Sequence, residues 1–421
     1  MWRSGESVSE YVLCDPSRNA RACGLLQSAS AGGVDQHSPS GRNVSTREHL
    51  RAIATEALEL ISGRDCSALD IGCNDGTLLS YYPRWVERFG VDPADPVDDI
   101  GEWAWTAKDA FPSSDLNAAF GEKKFDIITA VSVFEFSDQP KNILDGVKSL
   151  LTDDGVFVLE TLYAPMVLTR NSVESLQAGV SAAYSLATLE WLVRDAGLKI
   201  FKGQVTNKEG GSIRLFITHK DNEEFDFDPW YERLATLWDE ENVLAMRSIQ
   251  PYQSFEHRIE DVHGAYIDLL ENIAGRSETV NIIGADAQAE ALVTWAGKAG
   301  SVITAAIDTP AAREQSELGD LGIPVISEAD ARATEPDFLI APTRFKREVL
   351  ERWREAVLLG AKIMFVTPTP HVVDAANYAS EFGKVLDSGG ASNGVATLRS
   401  ILSLAEGPRL VADNSGIEKS A

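Results

Sequence analysis

Basic residues are scarce in this chain: 38 Lys and Arg stand against 64 Asp and Glu over 421 residues, a formal charge of −26. No Lys/Arg cluster or aromatic-basic stripe offsets that excess, so a phosphate backbone is repelled and nucleic acid is not an expected partner. Cysteine is sparse too. Cys14, Cys23, Cys66 and Cys73 show no C-x-x-C spacing, which argues against a disulfide framework or a bound metal and for a reducing cytoplasm. No apolar run is long enough to cross a bilayer, and residues 1–33 hold no stretch of signal-peptide length, so neither a membrane partner nor export is expected. The dinucleotide fingerprint G-x-G-x-x-G is also missing.

What is present is enough apolar material for two cores. With 44% hydrophobic and 24% charged residues, a chain of this length divides most naturally into two large domains. Residues 1–45 read as a lead-in, its small polar residues from Ser28 to Ser40 looking mobile. Ser45-Thr-Arg-Glu48 reads as a capping box, and Leu50, Ile53, Ala57, Leu58 and Ile61 follow at helical spacing, predicting a helix over 46–62. Strands are expected near 67–71, 88–91, 103–108, 125–131, 155–160, 198–205 and 213–219, with helices between most of the early ones. That alternation predicts a doubly wound, mostly parallel α/β sheet over 46–222. A helical bridge over 223–275 carries Trp230, Trp238 and Tyr252 as core residues. A fresh strand at V-N-I-I-G-A, a helix over 287–299 and strands near 302–307, 338–341 and 362–366 predict a second, smaller Rossmann-like lobe over 276–408, followed by a loose tail over 409–421.

The strongest local signal is Leu69-Asp-Ile-Gly-Cys-Asn-Asp-Gly76, a buried strand ending in a carboxylate and two glycines. Glycine at 72 and 76 lets the backbone approach a ligand and turn into the next helix. The pattern D-x-G-x-x-x-G points to S-adenosylmethionine, with Asp70 at the strand end. One β-α unit later Asp92 ends the second strand, where a carboxylate accepts ribose hydroxyls, and Asp109 ends the third, facing the adenine amino group. Asn74, Asp75 and Val131 complete the expected cofactor contacts. Taken singly, each Asp reads as a strand-end cap; their order and spacing favour a cofactor site, and three carboxylates suit a sulfonium cation.

These residues resemble the sugar C-methyltransferases, which methylate carbon 3 of nucleotide-activated 4-keto-deoxysugars, from about Thr46 to Val373. Ile71-Gly-Cys-Asn-Asp-Gly-Thr-Leu-Leu79 is similar to the family's I-G-S-N-D-G-x-L-L. The stretch 125–160 is similar to its segment ending D-G-V-F-V-x-E, and Gly210-Gly-Ser-Ile-Arg214 to its H-G-G-S-x-R without the His. In the second lobe, Ile283-Gly-Ala-Asp-Ala-Gln-Ala-Glu290 resembles the Y-G-A-x-x-K-G turn, and Pro336 to Lys346 resembles P-D-Y-x-x-x-L-P-W-N-F-K. The resemblance implies a class I methyltransferase domain with an appended C-methyltransferase lobe that helps hold the nucleotide. It assigns Ser212, Arg214, Gly284, Ala285, Pro342 and Arg344 to substrate binding. It also marks departures: the family's four-cysteine zinc module is reduced to Cys14 and Cys23, its Y-H-E-H histidines are replaced by Gln177-Ala-Gly-Val180, and Lys208 and Glu209 precede Gly-Gly-Ser.

Methylation at a carbon beside a ketone needs a base to form an enolate, worth about 10²–10⁴-fold. Glu209 is the first candidate and Lys208 an enolate-stabilising cation beside it. His37 and Tyr184 are second choices, with a surface-loop His and a packed core Tyr as their ordinary readings; Glu135 is read as facing the cofactor cleft. Three functions follow for a small-molecule acceptor: C-methylation of a nucleotide-linked keto-sugar or related natural-product intermediate, methyl transfer to oxygen or nitrogen of another acceptor, and a non-catalytic relative. The retained Asp70, Asp92 and Asp109 argue against the last.

Overall fold

The computed structural model describes residues 11–15, 22–29, 40–42, 44–61, 65–113, 116, 120–121, 123–176, 179–276, 278–308, 316–343 and 346–389. The core begins earlier than the sequence pattern predicts. β1 (Tyr11–Leu13) and β2 (Leu26–Ser28) form an antiparallel hairpin, and β2 pairs in turn with a two-residue strand at Ala182–Ala183. Tyr11 and Leu26 are buried, and the Tyr11 hydroxyl donates to the Val180 carbonyl at 2.9 Å. Part of the lead-in is therefore a third, small sheet. No group of three or more metal-ligating side chains occurs among the described residues. The tail over 409–421 lies outside them.

Helix α1 (Val44–Ile61) buries Leu50, Ile53, Ala54, Ala57 and Ile61, the apolar stripe the periodicity predicts. Its start corrects the capping-box reading: Ser45 lies inside the first turn, and its hydroxyl donates to Glu348 of the second lobe at 3.2 Å. The main sheet contains β3 (Ser67–Ile71), β4 (Glu87–Val91), β5 (Trp105–Ala107), β6 (Phe125–Val131), β7 (Leu151–Leu162), β9 (Leu198–Thr206) and β10 (Ser212–His219), where β8 is Ala182–Ala183. Its order is β5-β4-β3-β6-β7-β10-β9, parallel except where β10 runs antiparallel to both neighbours. β3 is buried at all five positions, as a central parallel strand covered on both faces must be. At the edge, Trp105 is 67% exposed. Between β4 and β5 the chain makes only the 3₁₀ turns Asp95–Asp99 and Gly101–Trp103, where the alternation predicts a helix.

α2 (Thr77–Ser80), α3 (Pro140–Leu150), α4 (Ala164–Arg170) and α5 (Leu186–Asp195) complete the first lobe, and the bridge is two helices, α6 (Asp228–Val243) and α7 (Gln250–Ala274). Glu241 fastens α6 to the first lobe: its buried carboxylate accepts from the Tyr163 hydroxyl at 2.8 Å and from the amides of Leu186 and Ala187. The second sheet has the order β13-β12-β11-β14-β15-β16, with β11 (Val280–Ile283), β12 (Ile303–Asp308), β13 (Val325–Ser327), β14 (Phe338–Ala341) and β15 (Lys362–Phe365) parallel and β16 (His371–Val373) antiparallel. One apolar core joins the lobes, running from Tyr11 and Leu26 through Val167 and Leu168 to Tyr266 and Leu270 and on to Ile282 and Leu292.

Candidate active site

In a doubly wound sheet, ligands bind beyond the carboxyl ends of the strands where the winding reverses. Here the reversal lies between β3 and β6, and a cavity of about 400 Å³ opens there. Asp70, Gly72, Asn74, Asp92, Asp109 and Val131 all line it. Asp92 is buried and each of its oxygens receives one backbone N–H, from Asn74 at 2.9 Å and from Ala94 at 2.8 Å. A carboxylate offers about four acceptor positions, so capacity remains for two hydroxyls. Asp109 lies two residues past β5 and accepts from the Ala110 amide at 2.8 Å and from the Ser113 hydroxyl. Asp70 accepts from the Thr129 hydroxyl; burial, with Asp92 and Asp75 nearby, pushes its carboxyl up to about 7. A cation arriving beside it favours the charged form. At Gly72, φ is +72° and an added Cβ would stand 2.6 Å from the Val133 side chain, so only glycine leaves this wall open. These residues fit S-adenosylmethionine: a bare backbone wall for close approach, Asp92 for ribose hydroxyls, Asp109 as an acceptor for the adenine amino group, and Asp70 as an acid for a nearby cation.

Asn74 and Asp75 do something else. Asn74 Oδ1 accepts the amides of Ser40 at 3.0 Å and Asp75 at 2.8 Å, and Asp75 accepts from Gly41 at 2.8 Å and from the amide and hydroxyl of Thr77. Neither the Asp75 side chain nor Gly76 lines the cavity, which corrects their expected contact with the cofactor. Gly76 makes the turn into α2 with φ +73°.

The cavity is also lined by Ser132, Val133, Glu135, Ser175, Lys208 and Gln288. The Lys208 ammonium donates to the Ser132 hydroxyl at 2.6 Å. Ser132 follows directly on β6, has φ +56°, and its amide donates to the Glu160 carbonyl at 3.0 Å. Glu135 is buried and accepts from Thr161 at 2.9 Å. Behind this wall lies a buried ion-pair network. Arg214 Nε donates to Glu160 at 2.6 Å and Nη1 to Glu56 at 3.0 Å, while His49 Nε2 lies 2.6 Å from Glu160. Burial works to raise the Glu160 carboxyl, but His49 and Arg214 outweigh it and hold the group far below the usual carboxylate range.

The network settles Arg214, which was expected at the acceptor. Its register opposite Glu160 in the β10/β7 pair turns the guanidinium onto that carboxylate, and it does not line the cavity. Ser212 is buried and donates to the Lys208 carbonyl at 3.0 Å, so it closes the turn rather than facing the cavity. Tyr184 is the packed core residue of its ordinary reading: fully buried, it donates to the Phe134 carbonyl at 3.1 Å, and burial pushes its hydroxyl far up, removing it as a base. The Glu209 backbone lies in the 3₁₀ turn Lys208–Gly210, but its side chain, like His37 and Arg344, lies outside the described residues. Gly284, Ala285 and Pro342 follow β11 and β14 at the second sheet's own reversal point and do not line the cavity. The second lobe reaches it through Gln288 of α8 (Ala287–Ala296), which packs against the turn Val173–Ser175. Sequence reasoning missed Gln288, Ser175 and Ser132. Only Ser132, one residue beyond an expected strand end, carried a local signal.

A doubly wound sheet whose strand tips present Asp70, Asp92 and Asp109 around a glycine turn defines an S-adenosylmethionine-dependent methyltransferase. Residues 45–202 match the family model of a methyltransferase domain, and residues 207–370 match that of the C-methyltransferase C-terminal domain. The C-methyltransferase NovU of Streptomyces niveus is 24% identical over 337 residues, covering 78% of this chain and 79% of NovU. Among solved structures, an S-adenosylmethionine-dependent methyltransferase from Clostridium acetobutylicum aligns with TM-score 0.35 at 14% identity, over 41% of this chain and 92% of that one. Magnesium protoporphyrin IX methyltransferase from Synechocystis aligns with TM-score 0.32 at 14% identity, over 42% and 80%. The two matched models lie end to end along the chain, a methyltransferase domain followed by a C-methyltransferase C-terminal domain. No helix among the described residues is long and apolar enough to cross a membrane.

Proposed function

We propose that the chain methylates a carbon beside the ketone of a nucleotide-activated keto-sugar, or of a related natural-product intermediate, through an enolate. The observation that carries this reading is the Lys208 ammonium, hydrogen-bonded to Ser132 on the wall of the same cavity that Asp70, Asp92 and Asp109 line. When bound, S-adenosylmethionine supplies an electrophilic methyl group next to a sulfonium. Asp92 would hold its ribose hydroxyls, Asp109 would accept from its adenine amino group, and the wall left open at Gly72 would let it approach closely. On the acceptor side, Glu209 takes the proton from the carbon beside the carbonyl. The C–H electron pair moves towards the carbonyl oxygen, and Lys208 with Ser132 neutralises the charge that gathers there. The carbon, now electron-rich, is the nucleophile. Gly284, Ala285, Pro342 and Arg344 are assigned to the nucleotide, in keeping with the matched C-terminal domain and with Gln288 of the same lobe reaching the cavity. A reducing cytoplasmic setting goes with this reading, since all four cysteines are free thiols.

The test is incubation with methyl-labelled S-adenosylmethionine and a panel of thymidine-diphosphate keto-sugars in deuterated water, read by mass spectrometry. The expected result is one added methyl group in place of the hydrogen on the carbon beside the ketone, with deuterium entering at that carbon of unmethylated sugar when S-adenosylhomocysteine replaces the methyl donor, and both lost in Glu209→Gln. A methylated product that keeps the hydrogen on the carbon beside the ketone, the methyl sitting on oxygen or nitrogen, rejects the enolate.

A further inference from the structure

The two residues in the middle of the glycine turn, where a cofactor loop ordinarily points its polar atoms at the ligand, spend theirs on a segment more than thirty positions earlier in the chain. Asn74 Oδ1 takes the Ser40 amide and Asp75 Oδ2 the Gly41 amide, at 3.0 and 2.8 Å. Arg47, in the first turns of α1, reaches back to the Gly41 carbonyl at 2.6 Å and closes the segment from its other side. The seat is close-fitting: a Cβ on Gly41 would stand 2.8 Å from the Thr77 hydroxyl and 3.0 Å from Asp75 Oδ2. Ser40 itself lines the cavity, as do Thr46 and Leu50 on the helix that follows.

The geometry points to the Ser40–Arg42 turn as a strap across the cofactor half of the cavity, fastened by Asn74 and Asp75 as positioning residues. The fastening is coupled to the ligand through Asn74, whose amide is held by Asp92 at 2.9 Å while its side chain holds Ser40. Ribose hydroxyls arriving at Asp92 therefore act on the residue that carries the strap. Two side-chain hydrogen bonds, one to a carboxylate, are strong enough to bias the closed state and weak enough to release on the timescale of turnover. The strap shuts behind the cofactor, and the spent cofactor leaves when it lifts. The proposal rests on the cofactor assignment and not on the identity of the acceptor.

Amide hydrogen exchange on the full chain reads the fastening directly, because its donors are the amides of Ser40 and Gly41. S-adenosylhomocysteine is expected to slow exchange at these two amides about tenfold or more, and stopped-flow release of that ligand to quicken about tenfold in Asn74→Gly and Asp75→Ala. Asn74→Gly tolerates the left-handed backbone at φ +49°, and Asn74→Asp, which keeps the acceptor, restores slow release. Gly41→Ala pries the strap from its own side without touching the glycine turn, and should match the loop variants. Bound ligand with indifferent Ser40 and Gly41 amides, or wild-type release from Gly41→Ala, overturns the strap alone. A wild-type chain that binds no S-adenosylhomocysteine by calorimetry removes the cofactor assignment and the strap together.

Discussion

Each lobe begins its sheet with the same device, a buried strand, a glycine with positive φ and a helix, yet the two devices face opposite ways. In the first lobe Asp70, at the tip of β3, presents its carboxylate to a cavity; in the second Asp286, just past β11, folds its carboxylate onto the amides of Gln288 and Ala289 and caps α8. The first acid lines a cavity with burial raising its carboxyl; the second completes its own helix. Topology is shared, and chemistry follows from where the polar atoms are left pointing.

The comparison breaks most readily at Lys208. Lys208→Met is expected to lower kcat by about 10²–10³-fold while calorimetric affinity for S-adenosylhomocysteine stays at the wild-type value, as for loss of an oxyanion donor. Asp92→Ala should do the reverse, weakening cofactor binding by about 10–10²-fold, because charge-assisted bonds to two hydroxyls go with it. If both variants lose affinity equally, the cavity has no separate acceptor half.

Asp70 sharpens the contrast through pH. Its folded carboxyl stands at about 7, above the value of about 3.9 in an unfolded chain. Folding therefore takes up a proton between those values. The contribution is fully present below pH ~4 and is lost as pH rises through ~7. Asp70→Asn should flatten that loss, gaining about 1–2 kcal/mol relative to wild type between pH 5 and 7 in denaturant titrations, while cofactor binding weakens. At the other turn, Asp286→Ala should cost about 1 kcal/mol of stability as a lost N-cap, with cofactor affinity intact. A cofactor effect there would mean that the second turn serves the ligand after all.

Legibility followed sequence distance. That Asp70, Gly72, Asp92 and Asp109 share one cavity was readable because a strand end and the turn after it are set by neighbouring residues, and the boundaries of β6, β10 and β14 fell within a residue of the hydrophobic pattern. The hairpin at Tyr11 and Leu26 was not, since its third strand is Ala182–Ala183 and no local pattern announces a pairing partner so remote. Gln288 and Ser175 reach the cavity only because α8 packs on the turn Val173–Ser175. Arg214 was a motif residue read by type; only register against Glu160 decides that its charge is spent inside the protein. Asn74 and Asp75 show the same limit at short range, because a turn's sequence fixes its backbone more firmly than the direction of its side chains.

The apolar seam that runs from the N-terminal hairpin through α4 and α7 into the second sheet has a consequence for traffic. Two lobes welded by Leu168, Tyr266 and Ile282 do not rock apart like jaws, since each degree of opening would wet hydrocarbon along the whole weld. Entry and exit are then left to local movements of the wall, of which the proposed Ser40–Arg42 strap is one.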